Sequence, residues 1–312
     1  MTVAGVDNTG GESQPHRNPP NAHWTDPVPW ARPIWIVLHD ATNGLFRHDG
    51  IMVASAISYS LIFGLFPFVI FLISLGAVFG GSGLADYISR EALAALPRHI
   101  VQTIEPELNR IFSVDGQARP LTFGLVVTLV SVTGSVEAIR DGLNRAYGCA
   151  ETRHMFRRYA SSVIFVFGGM AFILTTAGLG IVVPIAMEIV HRYFPELEFE
   201  VGLFEIGRQI LLILVMALML FAFHLLLPAR RRDLKSVGFG VLLTLVGWLI
   251  AGKLFGFYIT RFANYTATYA GLAGIVVLMF FLYIQAIIFL YGAELNRSIA
   301  DFRGTALCRK DT

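Results

Sequence analysis

Six stretches of this chain are apolar over lengths that match a bilayer: Ile51–Phe79, Leu121–Asp141, Tyr159–Val190, Phe204–Leu227, Val237–Ile259 and Gly271–Ala293. Crossing about 30 Å of hydrocarbon as a helix takes roughly 20 residues. A backbone in lipid must satisfy its own N–H and C=O groups, which leaves helices and closed barrels. Barrel strands are much shorter and alternate in polarity, so runs of this length predict helices. The composition agrees, with 55% apolar and only 15% charged residues, a balance that a water-soluble domain of this size rarely carries. The expected fold is all-α: a polytopic membrane protein with six transmembrane helices, an N-terminal interfacial helix and amphipathic helices on the outer face. Three segments follow: a disordered tail (1–32), a membrane domain (33–299) and a cytoplasmic tail (300–312).

The first 32 residues lack an apolar core and are rich in Pro, Gly, Asn and His, which argues against a signal peptide and for disorder. The net charge of +2 is small and the basic residues never form one stripe, so no nucleic-acid partner is expected. Their distribution sets an orientation instead. Arg153, Arg157 and Arg158 follow the second span, and Arg230, Arg231, Arg232 and Lys235 follow the fourth; Arg297, Arg303, Arg309 and Lys310 close the chain. These segments, and both termini, are expected on the cytoplasmic side. Opposite them lies HRYFPELEFEVG, with Glu196, Glu198 and Glu200 against one Arg. Cys149 and Cys308 then fall in a reducing compartment, where thiols are expected.

Ahead of the first span, Ile34, Leu38, Ala41 and Leu45 recur at helical spacing while His39, Asp40, Asn43 and Arg47 turn away. The pattern predicts a helix lying in the interface or packed beneath the bundle. In the outer loop, Ile100, Ile104, Leu108 and Ile111 form a second stripe within Leu84–Phe112, read as two short helices. Pro67 should kink the first span. Gly252 and Gly256, in GKLFG, allow close helix packing within the chain and leave a homo-oligomer open. No internal repeat is present.

The second run ends in SVEAIRDGLNRAYG. Leu121–Val136 is about 24 Å long as a helix, so a full crossing draws Glu137 and Arg140 into the span. Glu137, Arg140, Asp141 and Asn144 share one helical face of roughly 100°, where acid and base can pair. The sixth span ends alike, with Glu294, Asn296 and Arg297. Two such ends either line a cytoplasmic vestibule or snorkel their charges into headgroups. Deeper in, Lys253 and Arg208 come from opposite chain directions to a similar outer depth, where an anionic headgroup would answer both, and Gln285 sits near mid-span. Glu137, Arg140, Asp141, Asn144, Arg208, Lys253, Gln285, Glu294 and Asn296 are the candidate substrate-binding or vestibule residues. No nucleophile, paired catalytic carboxylates or metal spacing is recognisable; the dyads His39-Asp40 and His48-Asp49 would face opposite ways on one continuous helix. Neither catalysis, nor a metal, nor a cofactor is expected.

ASAISYSLIFGLFPFVIFL, GLNRAYG, LPARRRDLKSVGFG and TYAGLAGIVVLMFFLYIQAIIFLYGAELN, in that order, resemble the YihY/BrkB family of bacterial inner-membrane proteins over Pro33–Ile299. Ala270 departs from the glycine usual there. The resemblance implies an inner-membrane protein; the family also carries ribonuclease and virulence-factor labels, and some relatives are suspected of moving lipids between leaflets. The expectation is a transporter or flippase of an anionic lipid or lipid-linked envelope precursor, with membrane lipids as partners. The alternative is a non-transporting envelope-assembly scaffold or virulence-associated membrane factor.

Overall fold

The computed structural model describes residues 31–65, 67, 118–184, 187, 201–230, 232, 234–266 and 272–304. Every regular element among them is helical. Helix α1 is Ala31–Arg47 and α2 is Gly50–Leu65. Helix α3 is Ala118–Tyr147, and α4, Met155–Ala177, runs on through a π-turn at Gly178–Val182. Helices α5 (Val201–Leu226), α6 (Leu234–Thr266) and α7 (Leu272–Phe302) complete the set.

Four helical stretches are long and apolar enough to cross a membrane: Met155–Gly180, Phe204–Leu226, Leu234–Ile259 and Gly274–Phe302. The bent pair α1 and α2 would make a fifth if it forms one span. The chain is therefore a multi-pass helical membrane protein with four or five candidate spans among the described residues. The expected first span is followed only through residue 65 and Pro67. The expected second span lies inside α3, a continuous helix of 30 residues, which is not one of the four. The tail, the outer-loop helices and the acidic outer segment lie outside the described residues.

Helix α1 ends where Asp49 takes a left-handed backbone (φ 57°), a conformation Asp tolerates better than most residues, and the chain turns by 64° into α2. The predicted apolar stripe divides in the structure: Ala41 and Leu45 are buried, whereas Ile34, Trp35, Ile36 and Phe46 stay exposed. The buried edge lies on α7, where Ser298 Oγ donates to the Val37 carbonyl (2.9 Å). A helix packed on the bundle and still carrying exposed apolar side chains fits both readings of the stripe.

The closest helix crossing among the described residues is α6 on α7. A Cβ on Gly292 would stand 2.7 Å from the Gly240 carbonyl oxygen, and one on Gly247 would stand 2.6 Å from Ile288 Cγ2. Small residues permit this approach, which is what drives helix association in lipid. Gly252 and Gly256, expected to provide close packing, have no neighbour within 4 Å of an added Cβ. The contact runs one to three turns earlier in the same helix.

Candidate functional site

Charge concentrates where the C-termini of α3, α5 and α7 meet the N-termini of α4 and α6 and the α1–α2 turn. The deepest group is Arg140, wholly buried on α3. It pairs with Glu137 one turn earlier and donates to Ser161 Oγ on α4 (2.7 Å). Glu137 also accepts from Arg158 and from Ser162, both on α4. Arg158 in turn reaches Asp141 (3.1 Å), which stays half-exposed. The acid–base face of α3 therefore docks on α4, with Asp141 and Arg158 still reaching the surface. Four charges close on one another, yet Arg140 Nε has no hydrogen-bond partner.

Asn144, a turn further on, joins two loops: its Nδ2 donates to Glu151 (3.1 Å) and its Oδ1 accepts from the Ala229 backbone N–H (2.7 Å). Helix α3 then stops at Gly148, whose φ of +66° suits glycine; its N–H returns to Arg145 O and that of Cys149 to Asn144 O. Cys149 is disulfide-bonded, against the expectation of a reduced thiol. The other cysteine, Cys308, lies outside the described residues.

A second network centres on Tyr147. The backbone N–H of Gly240 donates to Asn296 Oδ1 (2.7 Å), which fixes the amide orientation, so Asn296 Nδ2 donates to Tyr147 Oη (3.3 Å). Burial pushes the phenol up and keeps it protonated. Its hydroxyl then donates to His224 Nδ1 on α5 (2.8 Å). In this arrangement His224 carries its proton on Nε2, a fully buried donor with no partner. The Arg232 guanidinium covers the Tyr147 ring, 4.5 Å from its centroid.

The third network ties α1 to α7. Glu294, buried, meets His48 Nδ1 at 2.7 Å, and Arg297 Nη1 lies 3.0 Å from His48 Nε2. Because Arg only donates, Nε2 must accept and Nδ1 must hold the proton. His48 is therefore a neutral bridge between acid and base. Burial first, then Arg297 and Arg47, depresses its pKa, in keeping with that tautomer. Gly44 opens the space: an added Cβ would stand 3.0 Å from Glu294 Cδ.

Of the candidate residues, Glu137, Arg140 and Asp141 thus gather around Arg158, while Asn144, Glu294 and Asn296 join the networks beside them. Gln285 lies deeper on α7; its backbone carbonyl accepts from Trp248 Nε1 (2.9 Å), and its buried Oε1 has no partner. Lys253 and Arg208 differ in their surroundings. Arg208 is held by Glu205 (Nε–Oε2 2.9 Å) and by the Leu179 carbonyl in the π-turn (2.9 Å), while Lys253 stands exposed. No group of three or more His, Cys, Asp and Glu that could hold a metal occurs among the described residues.

His48, Tyr147, Arg158 and His224 were not among the candidates. The RHDG turn marked the end of α1, which breaks the supposed continuous helix and frees His48 to turn toward α7. His224, a histidine at the end of an otherwise apolar span, carried its own signal.

The model of the virulence factor BrkB family matches residues 42–310. The chain belongs to the BrkB family. A putative ribonuclease-like protein, YfkH of Bacillus subtilis, is 27% identical over 80% of this chain and 90% of its own. UPF0761 membrane proteins of Nitrosospira multiformis and Chromohalobacter salexigens are each 23% identical, over 85% and 88% of the chain. This chain spans 61% and 65% of their lengths. No solved structure matches. The motifs that carry the BrkB resemblance converge in space. GLNRAYG supplies Asn144 and Tyr147, LPARRR supplies the Ala229 N–H and Arg232, and GAELN supplies Gly292, Glu294 and Asn296.

Proposed function

We propose that this BrkB-family protein is a bacterial inner-membrane transporter or flippase for an anionic lipid or lipid-linked envelope precursor, with both termini and the charged end of the bundle in the cytoplasm. The observation that carries this reading is the set of buried, unpartnered polar atoms on three helices: Ser135 Oγ and Arg140 Nε on α3, His224 Nε2 on α5 and Gln285 Oε1 on α7. Buried polar atoms ordinarily find partners, and polar groups inside a membrane bundle mark paths for water or polar cargo. In this reading the interlocked networks are the closed cytoplasmic gate and the unpartnered atoms await the headgroup or its water.

The acyl chains have a matching surface. A groove of about 910 Å³ runs between α1, α6 and α7, walled by Leu38, Leu242, Val246, Ile288 and Ile299, with Arg303 at its charged end. Lipid handling requires neither a metal nor a nucleic-acid surface. The ribonuclease-like name belongs to YfkH, and we do not extend catalysis to this chain.

The test is reconstitution in liposomes with a leaflet-resolved assay of labelled phosphatidylglycerol and phosphatidylcholine. Accelerated exchange of the anionic lipid, slowed in His224→Phe or Gln285→Leu variants that fold, supports transport; exchange no faster than in empty liposomes refutes it. The second reading, an envelope-assembly scaffold, rests on one observation: the ion pairs of α3 and α7 are already closed within the chain.

A further inference from the structure

The N-terminus of α4 borders a cavity of about 600 Å³ that none of these networks uses. Its walls are Arg153, His154, Arg157 and Ser161, with Leu226 and Ala229 across from them. We propose that this cavity binds a phosphate group, most naturally the headgroup of an anionic phospholipid.

The donors are arranged for an anion. His154 caps α4, its Nδ1 accepting the Phe156 N–H (3.4 Å), so the neutral ring carries its proton on Nε2. Arg153 is braced on the carbonyls of Leu227 (3.2 Å) and Pro228, and its Nε faces Glu151 (3.9 Å), so it shapes the wall while its charge is partly answered within the chain. Arg157 is exposed and has neither a hydrogen bond nor an ion pair with any described residue. No carboxylate is among the described residues that line the cavity; Glu151 meets Arg153 from beside it. Behind Ser161 stands Arg140, fully buried, donating to Ser161 Oγ while its own Nε is unpartnered. The first-turn N–H groups of α4 add the positive end of a helix dipole.

The rim sets the depth. Phe156 is 81% exposed, Met155 69% and Leu226 50%, a collar of apolar side chains beside a cationic cavity. Such a boundary is where lipid phosphates lie in a bilayer. The bland account of these arginines is orientation alone, since Lys and Arg in short loops set topology. Orientation needs charge only, and gives no reason for a concave cavity with a braced Arg and a partnerless one.

The lipid source rests on the proposed lipid handling; phosphate binding itself does not. The test uses the full chain, extracted with mixed phosphatidylglycerol and phosphatidylcholine, and native mass spectrometry to read the retained lipid. The variant is Arg157→Gln with His154→Asn, which preserves a capping side chain; Arg47→Gln, outside both the groove and this cavity, controls for loss of an exposed arginine elsewhere. Two lost charge-assisted hydrogen bonds predict about a tenfold or greater fall in phosphatidylglycerol retention relative to phosphatidylcholine. Arg47→Gln should stay within about twofold of the wild type. Displacement of phosphatidylglycerol by millimolar inorganic phosphate in the wild type would identify a soluble anion as an alternative source; no displacement identifies the lipid. A double variant that matches Arg47→Gln, or a wild type with no preference for phosphatidylglycerol, overturns the site. Selective retention without leaflet exchange refutes transport and leaves the site standing.

Discussion

Removing Glu137 should destabilise the protein more than removing Arg140, although the two form one buried pair. Glu137 accepts from Arg140, Arg158 and Ser162, so it is shared by two cations and a hydroxyl. Glu137→Gln leaves the Arg140 guanidinium wholly buried, with Ser161 and a weak amide contact as its remaining acceptors. Breaking a buried pair in this direction costs about 3–5 kcal/mol. Arg140→Met takes the charge and its orphan Nε away together, and Glu137 keeps Arg158 and Ser162. One charge-assisted bond is lost against a desolvation cost that also disappears, for a net of about 0–2 kcal/mol. The double variant should recover most of the Glu137→Gln loss, because the uncompensated charge is gone. Reversible unfolding of the purified protein in mixed detergent micelles would measure all three. The reasoning is refuted if Arg140→Met is as destabilising as Glu137→Gln, or if the double variant is the sum of the singles. Equal tolerance of Arg140→Glu and Arg140→Lys would likewise show that Arg140 reaches headgroups.

Gly240→Ala should destabilise by about 1–3 kcal/mol or more, since the new methyl meets the Gly292 carbonyl and the Asn296 amide, whereas Gly252→Ala, with open space around it, should be neutral or stabilising by up to about 1 kcal/mol; thermal unfolding ranks the two. His48 has a folded pKa below its ordinary 6.5, so the unfolded chain binds the extra proton first and the contribution, complete above about 6.5, is lost as pH falls. Relative to the wild type, His48→Gln should therefore keep more of its thermal midpoint on acidification from about pH 7.5 to 5.5; an unchanged slope removes His48 as a contributor. Orientation is testable in a chain with Cys149 and Cys308 replaced: a cysteine at Glu198 should react with an impermeant reagent added to intact cells, and one at Phe156 should not. Lys253→Gln and Arg208→Gln should leave anionic-lipid exchange unequal, with Lys253 the more sensitive, because Arg208 is already held by Glu205 and Leu179; equal loss in both would restore them as a pair.

Much of the site was legible because helical order is local. A period of 3.6 residues places Glu137, Arg140, Asp141 and Asn144 on one face whatever the rest of the chain does, and their charges must then face protein or water. The same logic marked Glu294 and Asn296. What periodicity cannot supply is the partner on another helix: Arg158 and Ser162 lie 21 and 25 residues from Glu137, and His48 lies 246 from Glu294. Depth at Lys253 and Arg208 is likewise incomplete, since equal depth on two helices says nothing about their rotation toward each other.

The amino-acid sequence by itself determined that this chain is helical and membrane-embedded, because the cost of unpaired backbone groups in lipid leaves long apolar runs no other form. It also determined that charge gathers at one end, through segments whose alternate positions along the chain bring them together. The tertiary structure alone decided which small residues touch, Gly240 and Gly292 and not Gly252 and Gly256. It alone turned the histidines into connectors, His48 between Glu294 and Arg297 and His224 under Tyr147. These outcomes depend on the rotation and register of one packed helix against another, and that register is set by the summed fit of side chains distant in sequence.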